Sequence, residues 1–208
     1  MIAIIDYQAG NLTSVARALG HLGFQSQVTR EAEQIVQADR VILPGVGSAG
    51  QAMLDLKRRG IDKALHEVYA SGKPLLGICL GSQVILQQSE ENNTSCLGLL
   101  YGKVSRFPTP LLTDHGDILK VPHMGWNRVR LIKEHPVFRG ITPEDEFYFV
   151  HSYFPVPDSE DSIIGITEHG ISFASIVGER NLVAVQFHPE KSGPSGLTVL
   201  KNFCQWDV

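Results

Sequence analysis

The sequence predicts an α/β fold: a three-layer sandwich with a mostly parallel central sheet and a β-rich C-terminal half. In the first half, apolar runs typical of buried strands alternate with segments whose apolar residues follow helical spacing. From residue 99 to residue 185 the apolar runs are short and separated by turn signals. The β-α-β-α order of the first half implies parallel strands with helices on both faces of the sheet.

Local sequence features predict each helix and strand of the first half. Ile2 to Ile5 is a nearly continuous apolar run, as expected for a strand buried on both faces. Apolar residues at helical spacing run from Leu12 to Leu22, and nearby glycines close this helix. The next predicted elements are strands 24–29 and 40–43, a helix 54–69 interrupted at Gly60, a strand 75–78 after Gly72-Lys73-Pro74, and a helix that begins within 82–88.

The second half is expected to consist mainly of strands and loops. Strands are predicted at residues 102–105, 147–150 and 162–165, and a last helix at residues 195–204. No linker, repeat or low-complexity segment interrupts the chain. A single domain spanning residues 1–208 is therefore expected.

The composition favours an ordinary globular protein. Of 208 residues, 43% are hydrophobic and 19% are charged, and a net charge of −4 gives no reason to expect nucleic acid or an anionic membrane as partner. Cys79, Cys96 and Cys204 form neither a disulfide framework nor a CxxC zinc motif, which favours a reducing compartment. With no apolar run long enough for a membrane span and no signal peptide, a cytoplasmic protein is expected, with no metal and no cofactor.

A cysteine between two glycines is the first candidate catalytic residue. The order strand, Gly77-Ile78-Cys79-Leu80-Gly81, helix is typical of a nucleophile elbow, here with sulfur as the nucleophile. Glycines avoid clashes in so tight a turn, and the N-terminus of the following helix favours thiolate. The backbone N–H of Leu80 is placed to donate to an oxyanion. The alternative is a buried cysteine in a glycine-rich turn, and Cys96 and Cys204 are expected to be structural thiols.

The segment Phe187-His188-Pro189-Glu190 supplies a candidate base and its orienting carboxylate. Pro189 forces His188 into an extended conformation, in which residues two apart point to the same side. Glu190 can therefore accept the second N–H of the imidazole, as in a catalytic triad. The alternative is the capped end of a strand with a solvated Glu190. Together with the elbow, the segment predicts a Cys79–His188–Glu190 triad for amide cleavage through a thioester.

A glycine turn follows the third strand, in Leu43-Pro44-Gly45-Val46-Gly47-Ser48. It is too short a pattern for a dinucleotide or phosphate fingerprint. In this sheet order it neighbours the cysteine strand, so that a peptide N–H of the turn can complete an oxyanion hole with Leu80. A plain tight turn is the alternative.

Three motifs in this order resemble those of the class I (triad) glutamine amidotransferases, over essentially the whole chain. They are Pro44-Gly45-Val46-Gly47, Gly77-Ile78-Cys79-Leu80-Gly81-Ser82-Gln83 and Phe187-His188-Pro189-Glu190. The resemblance implies a flavodoxin-like fold. It also implies that Cys79 attacks the side-chain amide of L-glutamine, that His188 transfers protons and that Glu190 orients His188.

Further segments resemble, within that class, the glutaminase subunits of imidazole glycerol phosphate synthases in histidine biosynthesis. Two departures, Ser82 where methionine is frequent and Gln8 where glycine is common, bear on local packing. The matching segments are Asp6-Tyr7-Gln8-Ala9-Gly10-Asn11, Val121-Pro122-His123-Met124-Gly125-Trp126-Asn127, Tyr148-Phe149-Val150-His151-Ser152-Tyr153 and His188-Pro189-Glu190-Lys191-Ser192.

The resemblance also implies binding roles. Val46 and Gly47 match the oxyanion turn, which in this family needs rearrangement for activity. The positions that match glutamine-binding residues are Gln83, Glu91, His151, Ser152 and Tyr153.

The implied partner is a (β/α)8-barrel cyclase subunit that forms a heterodimer with the glutaminase. Ammonia passes through the barrel to a nucleotide substrate, giving imidazole glycerol phosphate and AICAR. The positions that match the subunit interface are Asn11, Pro122, His123, Met124, Trp126 and Lys191.

Three alternative functions remain open, and the last two belong to other classes of protein. A sister glutaminase, such as the subunit of pyridoxal phosphate synthase, shares fold and triad but lacks the run from Pro122 to Asn127. A cysteine peptidase or chaperone-like relative would turn over peptides instead of glutamine. A catalytically silent subunit would only stabilise a partner, and the intact Cys79, His188 and Glu190 argue against it.

Overall fold

A central eight-stranded sheet carries the fold, seen in a computed structural model that describes residues 1–7, 11–113 and 115–208. Residues 8–10, part of one segment of the family resemblance, lie outside the described residues, as does residue 114. The α-helices of the described residues are α1 (Leu12–His21), α2 (Ala32–Gln37), α3 (Ala49–Arg58), α4 (Ile61–Ala70), α5 (Leu80–Val84) and α6 (Gly193–Gln205).

The strands fall into this sheet and three smaller ones. In chain order they are β1 (Ile2–Ile5), β2 (Ser26–Thr29), β3 (Arg40–Gly45), β4 (Leu75–Cys79), β5 (Gln88–Ser89), β6 (Thr94–Ser95), β7 (Gly102–Arg106), β8 (Leu111–Leu112), β9 (Ile118–Leu119), β10 (His123–Arg128), β11 (Arg130–Leu131), β12 (Glu146–His151), β13 (Tyr153–Pro157), β14 (Ile163–Glu168), β15 (Ser172–Glu179) and β16 (Leu182–Val185).

The central sheet has the order β11-β14-β15-β16-β4-β3-β1-β2. From β16 to β2 neighbouring strands pair in parallel, and from β11 to β16 they pair antiparallel. A four-stranded sheet, β13-β7-β5-β6, and two-stranded ribbons β10-β12 and β8-β9 complete the second half. The predicted mostly parallel sheet with a β-rich second half is confirmed.

The two faces of the central sheet bury separate hydrophobic cores. On β1, Ile4 joins the core beneath α1 and α6, whereas Ala3 and Ile5 join the core beneath α2, α3 and α4. This alternation follows from the two-residue period of a strand. Because both faces are covered, the inner strands β1, β4 and β16 are buried at every residue and carry no charged side chain, as the sequence predicts for β1. Truncating one such core side chain to alanine typically costs about 2–5 kcal/mol.

Two helices differ from the sequence prediction. The helix expected at 54–69 begins earlier, at Ala49, and divides into α3 and α4 at the predicted interruption, where Gly60 adopts a left-handed conformation with φ 69°. The helix expected within 82–88 begins at Leu80 and ends at Val84. It ends early because N–H groups from residues 97, 99 and 100 bind the carbonyls of Val84 and Ile85, which would otherwise extend the helix.

No helix in the described part of the chain is both long and apolar enough to cross a membrane.

Candidate active site

Cys79 lies at the sharp turn between β4 and α5. Its backbone has φ 52° and ψ −108°, a strained conformation for a residue other than glycine. The turn is closely packed, since a Cβ on Gly81 would lie 1.9 Å from the carbonyl oxygen of Leu43, and a Cβ on Gly77 would lie 2.9 Å from that of Gly81. Neither position can therefore accommodate a side chain, which agrees with the tight turn of the predicted nucleophile elbow.

The short helix α5 provides hydrogen-bond donors beside Cys79. Leu80 is its first residue, so the N–H of Leu80 has no partner within the helix. The hydroxyl of Ser82 donates to the carbonyl of Cys79 at 2.7 Å and fixes the backbone of the turn. Since α5 has five residues, its N–H groups act locally and its dipole contributes little beyond them.

His188 and Glu190 form a buried ion pair just beyond β16. Nδ1 of His188 lies 2.8 Å from Oε1 of Glu190, and both side chains are buried. The backbone N–H of His188 binds the carbonyl of Tyr148 at 2.9 Å, and the carbonyl of His188 accepts from the hydroxyl of Ser192 at 2.6 Å. Pairing of β16 with β4 then places the imidazole beside the elbow.

The contacts of His188 favour its charged form. Burial alone would lower the pKa of this imidazole, but interactions with Cys79 and Glu190 outweigh burial and raise the pKa to about 9. Nε2 of His188 is buried and has no hydrogen-bond partner at bonding distance among the described residues. Burial raises the pKa of Cys96 to about 11 and that of Cys204 to about 12, which keeps both thiols protonated.

The glycine turn lies next to Cys79, as the sheet order predicts. In the pairing of β3 with β4, Gly45 is the partner of Cys79. Gly47 has φ 96°, a conformation that favours glycine, and Val46 is exposed. Gly45 cannot carry a side chain, because its Cβ would lie 2.0 Å from the hydroxyl of Tyr7.

One cavity of about 380 Å³ opens at this edge of the sheet. Its lining includes Cys79 and every residue that the sequence assigns to the oxyanion hole or to substrate binding. Its lining consists of Val46, Gly47, Cys79, Leu80, Gln83, Glu91, Pro122, Val150, His151, Ser152 and Tyr153.

Glu91 joins this cavity to the glycine turn. Its Oε2 accepts a hydrogen bond from the backbone N–H of Ala49 at 2.6 Å, at the start of α3. Its own N–H binds the hydroxyl of Ser89 at 3.1 Å. A carboxylate at this position stabilises the helix N-terminus and supplies negative charge to the cavity.

Gln186 is a residue of the site that sequence reasoning did not identify. It is fully buried, and its Nε2 lies 3.8 Å from Sγ of Cys79, within hydrogen-bond range for sulfur. Its Oε1 accepts from Nε2 of Gln83 at 3.0 Å. The sequence signal for it is an amide within the otherwise apolar run 182–187, two residues before His188 and hence on the same side of an extended chain.

The residues expected at a partner interface separate into two groups. Met124 and Trp126 are exposed on β10, with side chains 62% and 54% accessible. Trp126 pairs with Tyr148 on β12, whose ring lies 5.9 Å from the Lys191 ammonium. Pro122 and Lys191 are also exposed, and Asn11 is half-buried at the start of α1.

His123 departs from this expectation because its side chain is buried. Its Nδ1 lies 3.0 Å from Nε2 of His151, and its ring stacks on those of Phe149 and His169. The residue lies on β10, where side chains alternate between the interior and the surface. Its ring is therefore not part of the exposed face formed by Met124 and Trp126.

Solved structures of low sequence identity share this fold. A glutamine amidotransferase matches with a TM-score of 0.74 and 17% identity, covering 98% of this chain and 100% of its own. PurLQS from Thermotoga maritima matches with a TM-score of 0.75 and 16% identity, covering 98% and 97%. These structures share the architecture seen here, which is the flavodoxin-like fold predicted from the sequence.

Sequence comparison identifies the family. The profile of the family described as glutamine amidotransferase class-I matches residues 3–206, so the chain belongs to the class I glutamine amidotransferases and is an amidotransferase enzyme. Proteins named imidazole glycerol phosphate synthase subunit HisH are 48% identical in Maridesulfovibrio salexigens, over 99% of this chain and 97% of theirs, and 49% identical in Moorella thermoacetica, over 97% and 93%. Within the class, the chain belongs to the HisH family.

Proposed function

We propose that this enzyme hydrolyses L-glutamine to glutamate and ammonia through a thioester on Cys79. The observation that carries the proposal is that Cys79 and the turn of Val46 and Gly47 line one cavity, while the buried His188–Glu190 pair lies against Cys79. An amide is a poor electrophile. Cleaving it requires an activated nucleophile, a proton for the leaving amine and donors for the oxyanion.

Each step has a residue beside it. The sulfur of Cys79 attacks the side-chain carbonyl carbon of glutamine, and the N–H of Leu80 stabilises the oxyanion. His188, protonated at neutral pH because its pKa is raised, gives a proton to the departing nitrogen, which leaves as ammonia. The neutral imidazole then takes a proton from water, which attacks the thioester, releases glutamate and returns the thiolate–imidazolium pair.

The cavity also suits the two ends of the amino acid. The carboxylate of Glu91 offers negative charge to the α-ammonium group of glutamine. Gln83, His151, Ser152 and Tyr153 line the other walls. We assign these five residues to substrate binding because a polar ligand in a half-open cavity needs convergent polar partners.

The turn of Val46 and Gly47 is the proposed second part of the oxyanion hole. Its position opposite Cys79 supports this role. A peptide whose N–H turns toward the cavity would add a second donor to that of Leu80. Loss of one such donor typically costs about 10²–10³ in rate, so the orientation of this peptide decides whether the enzyme is fast or slow.

We further propose that the enzyme is a single-domain cytoplasmic subunit that delivers ammonia to a (β/α)8-barrel cyclase, which makes imidazole glycerol phosphate and AICAR in histidine biosynthesis. The names of the HisH relatives support this partnership. So does the exposure of Met124 and Trp126, since methionine and tryptophan are enriched at interfaces. Nucleotide bound to the partner is expected to switch the glutaminase on through the turn at Val46 and Gly47.

The experiment measures glutamate released from L-glutamine by the enzyme alone, with the cyclase subunit, and with the cyclase subunit carrying phosphoribulosyl formimino-AICAR ribonucleotide. Strong stimulation in the last sample is expected. Cys79→Ala should abolish turnover, by about 10⁶-fold if it resembles loss of a hydrolase nucleophile, whereas Cys96→Ala should retain it. Equal turnover in all three samples would contradict the switch. Activity of Cys79→Ala within tenfold of the wild type would contradict the assigned nucleophile.

A further inference from the structure

A continuous run of hydrogen bonds joins strand β10 to the nucleophile through groups outside the triad. We call it the amide–imidazole chain. From the outside inwards it consists of Asn127, His123, His151, the carbonyl of Tyr153, Gln83, Gln186 and the sulfur of Cys79.

The outer end of the chain fixes the tautomer of His123. Oδ1 of Asn127 accepts from the N–H of Arg128 at 2.8 Å, and Nδ2 donates to the carbonyl of Glu168 at 2.9 Å. The amide nitrogen of Asn127 therefore faces Nε2 of His123, at 3.1 Å. An amide nitrogen only donates, so Nε2 of His123 accepts and the neutral ring carries its proton on Nδ1.

The inner end fixes the tautomer of His151 independently. Nδ1 of His151 lies 2.8 Å from the carbonyl oxygen of Tyr153, which can only accept. Nδ1 of His151 therefore carries the proton, and its Nε2 is left to accept from Nδ1 of His123 at 3.0 Å. The two ends require the same tautomers, so the chain has one consistent arrangement of protons.

Burial keeps both imidazoles neutral. Burial and the neighbouring His169 lower the pKa of His123 to about 4. Burial, with a smaller opposing effect from the bond to Tyr153, lowers the pKa of His151 to about 3. At neutral pH each ring therefore has one donor and one acceptor, as the chain requires.

The last links direct an N–H group at sulfur. Nε2 of Gln83 uses both its hydrogens, one on the carbonyl of Tyr153 and one on Oε1 of Gln186, each at 3.0 Å. With its oxygen held in this way, Gln186 presents its Nε2 to Sγ of Cys79 at 3.8 Å. The reversed amide would place an oxygen against the sulfur, which is unfavourable for a thiolate.

We infer that the amide–imidazole chain positions the thiol of Cys79, with His123 and His151 acting through Gln83 to hold the N–H of Gln186 toward sulfur. The carbonyl of Tyr153 has no proton to pass on, so the chain orients groups and does not relay protons. His123, His151, Gln83 and Gln186 are positioning residues in this respect. The inference deepens the proposed function and rests on it, because the oriented thiolate is the attacking species.

The test measures how fast iodoacetamide alkylates Cys79 at neutral pH, followed by mass spectrometry of the peptide that contains Cys79, so that Cys96 and Cys204 do not contribute. Gln186→Met removes the donor to sulfur and should slow alkylation about tenfold. His123→Leu should slow it about threefold, because the link is indirect. The double variant should react no more slowly than Gln186→Met, since His123 acts only through Gln186.

A matched control distinguishes the effect of the amide–imidazole chain on Cys79 from the effect of losing a packed ring. His169→Leu removes a ring that stacks on His123 at 4.2 Å, but its own hydrogen bond goes to the carbonyl of Lys120, outside the chain. It should react like the wild type, and His123→Asn, which keeps a donor near the Nδ1 position, should recover most of the rate. A wild-type rate in His123→Leu would overturn the inference, as would slowing effects that multiply in the double variant.

Two further measurements keep the result decisive. If thermal unfolding shows that His123→Leu is not folded at the assay temperature, Asn127→Leu replaces it. That variant should also slow alkylation, and an unchanged rate would overturn the inference. Glutamine turnover is measured on the same proteins in the presence of the cyclase subunit carrying its nucleotide ligand. The expected alkylation pattern without any turnover would refute the proposed function and leave the chain standing.

Discussion

Replacing Glu190 with Gln removes the charge that faces His188 and keeps a side chain of the same shape. In the wild type the two side chains meet at 2.8 Å, both buried. Burial by itself lowers the pKa of His188, and the contacts with Cys79 and Glu190 raise it to about 9 from an ordinary value of 6.5. In Glu190→Gln burial remains while one of the two opposing contacts is lost.

The expected change is a fall of about 1–3 units in the pKa of His188. The sign for stability follows from the raised pKa of the folded state. Wild-type His188 stabilises the fold fully below about pH 6.5, and this contribution is lost as the pH rises through about 9. The difference between 6.5 and 9 corresponds to about 3 kcal/mol, of which Glu190→Gln should lose a large part at pH 6 and below.

The pKa is read from the pH dependence of the His188 imidazole resonances, and stability from urea unfolding across the same pH range. Turnover should fall by about 10³–10⁴, since an analogous change in a serine hydrolase triad costs about 10⁴. Glu144→Gln, at an exposed glutamate, is the control and should match the wild type. A His188 pKa that stays near 9 in Glu190→Gln would refute the reasoning.

Three further changes test the packing of the elbow, a buried hydroxyl group and the surface expected to bind the partner. Gly81→Ala places a Cβ 1.9 Å from the carbonyl oxygen of Leu43 and should lower the free energy of unfolding by about 1–3 kcal/mol or more. The control is Gly20→Ala, whose Cβ would have nothing within 4 Å and which should raise the free energy of unfolding by up to about 1 kcal/mol. Thermal unfolding of both variants checks these two expectations. Tyr7→Phe removes a buried hydroxyl that has no partner among the described residues, so urea unfolding should show a free energy that is unchanged or about 1 kcal/mol higher, and a clear loss would indicate a bond that this hydroxyl makes. Trp126→Ala should leave the isolated protein within about 0.5 kcal/mol of wild-type stability while weakening binding of the cyclase subunit by about 2 kcal/mol in calorimetry; Leu54→Ala, at another exposed apolar side chain, should leave binding unchanged.

Local chemistry in the sequence was sufficient to predict the elbow and the paired histidine and glutamate. The order strand, Gly-x-Cys-x-Gly, helix lies within a few residues of Cys79, and Pro189 sets the backbone that lets Glu190 reach His188. Such signals are short in range, so the chain itself carries them. The fold class could also be predicted from the sequence, because strands buried on both faces of a sheet are recognised by their continuous apolar runs.

What the sequence did not predict depends on contacts between distant segments. Helix α5 ends at Val84 because N–H groups of residues 97–100 occupy the carbonyls that would continue it. Gln186 is a donor to Cys79 only because β16 pairs with β4. His123 lies in a motif that resembles an interface, yet its ring points inward to His151, and a polar residue in a short ribbon gives no sequence signal for that direction.

The placement of the site separates rigid parts from a part that can change. Cys79 and His188 follow neighbouring parallel strands, and both are buried and hydrogen-bonded through backbone and side chain. Val46 lies on the adjacent turn and is exposed, and Gly47 has the freedom of a residue without a side chain. Moving the triad would break sheet pairing and buried hydrogen bonds, whereas turning one peptide of residues 46–47 breaks neither. A partner that regulates this enzyme is therefore expected to act on the oxyanion turn and to leave the triad in place.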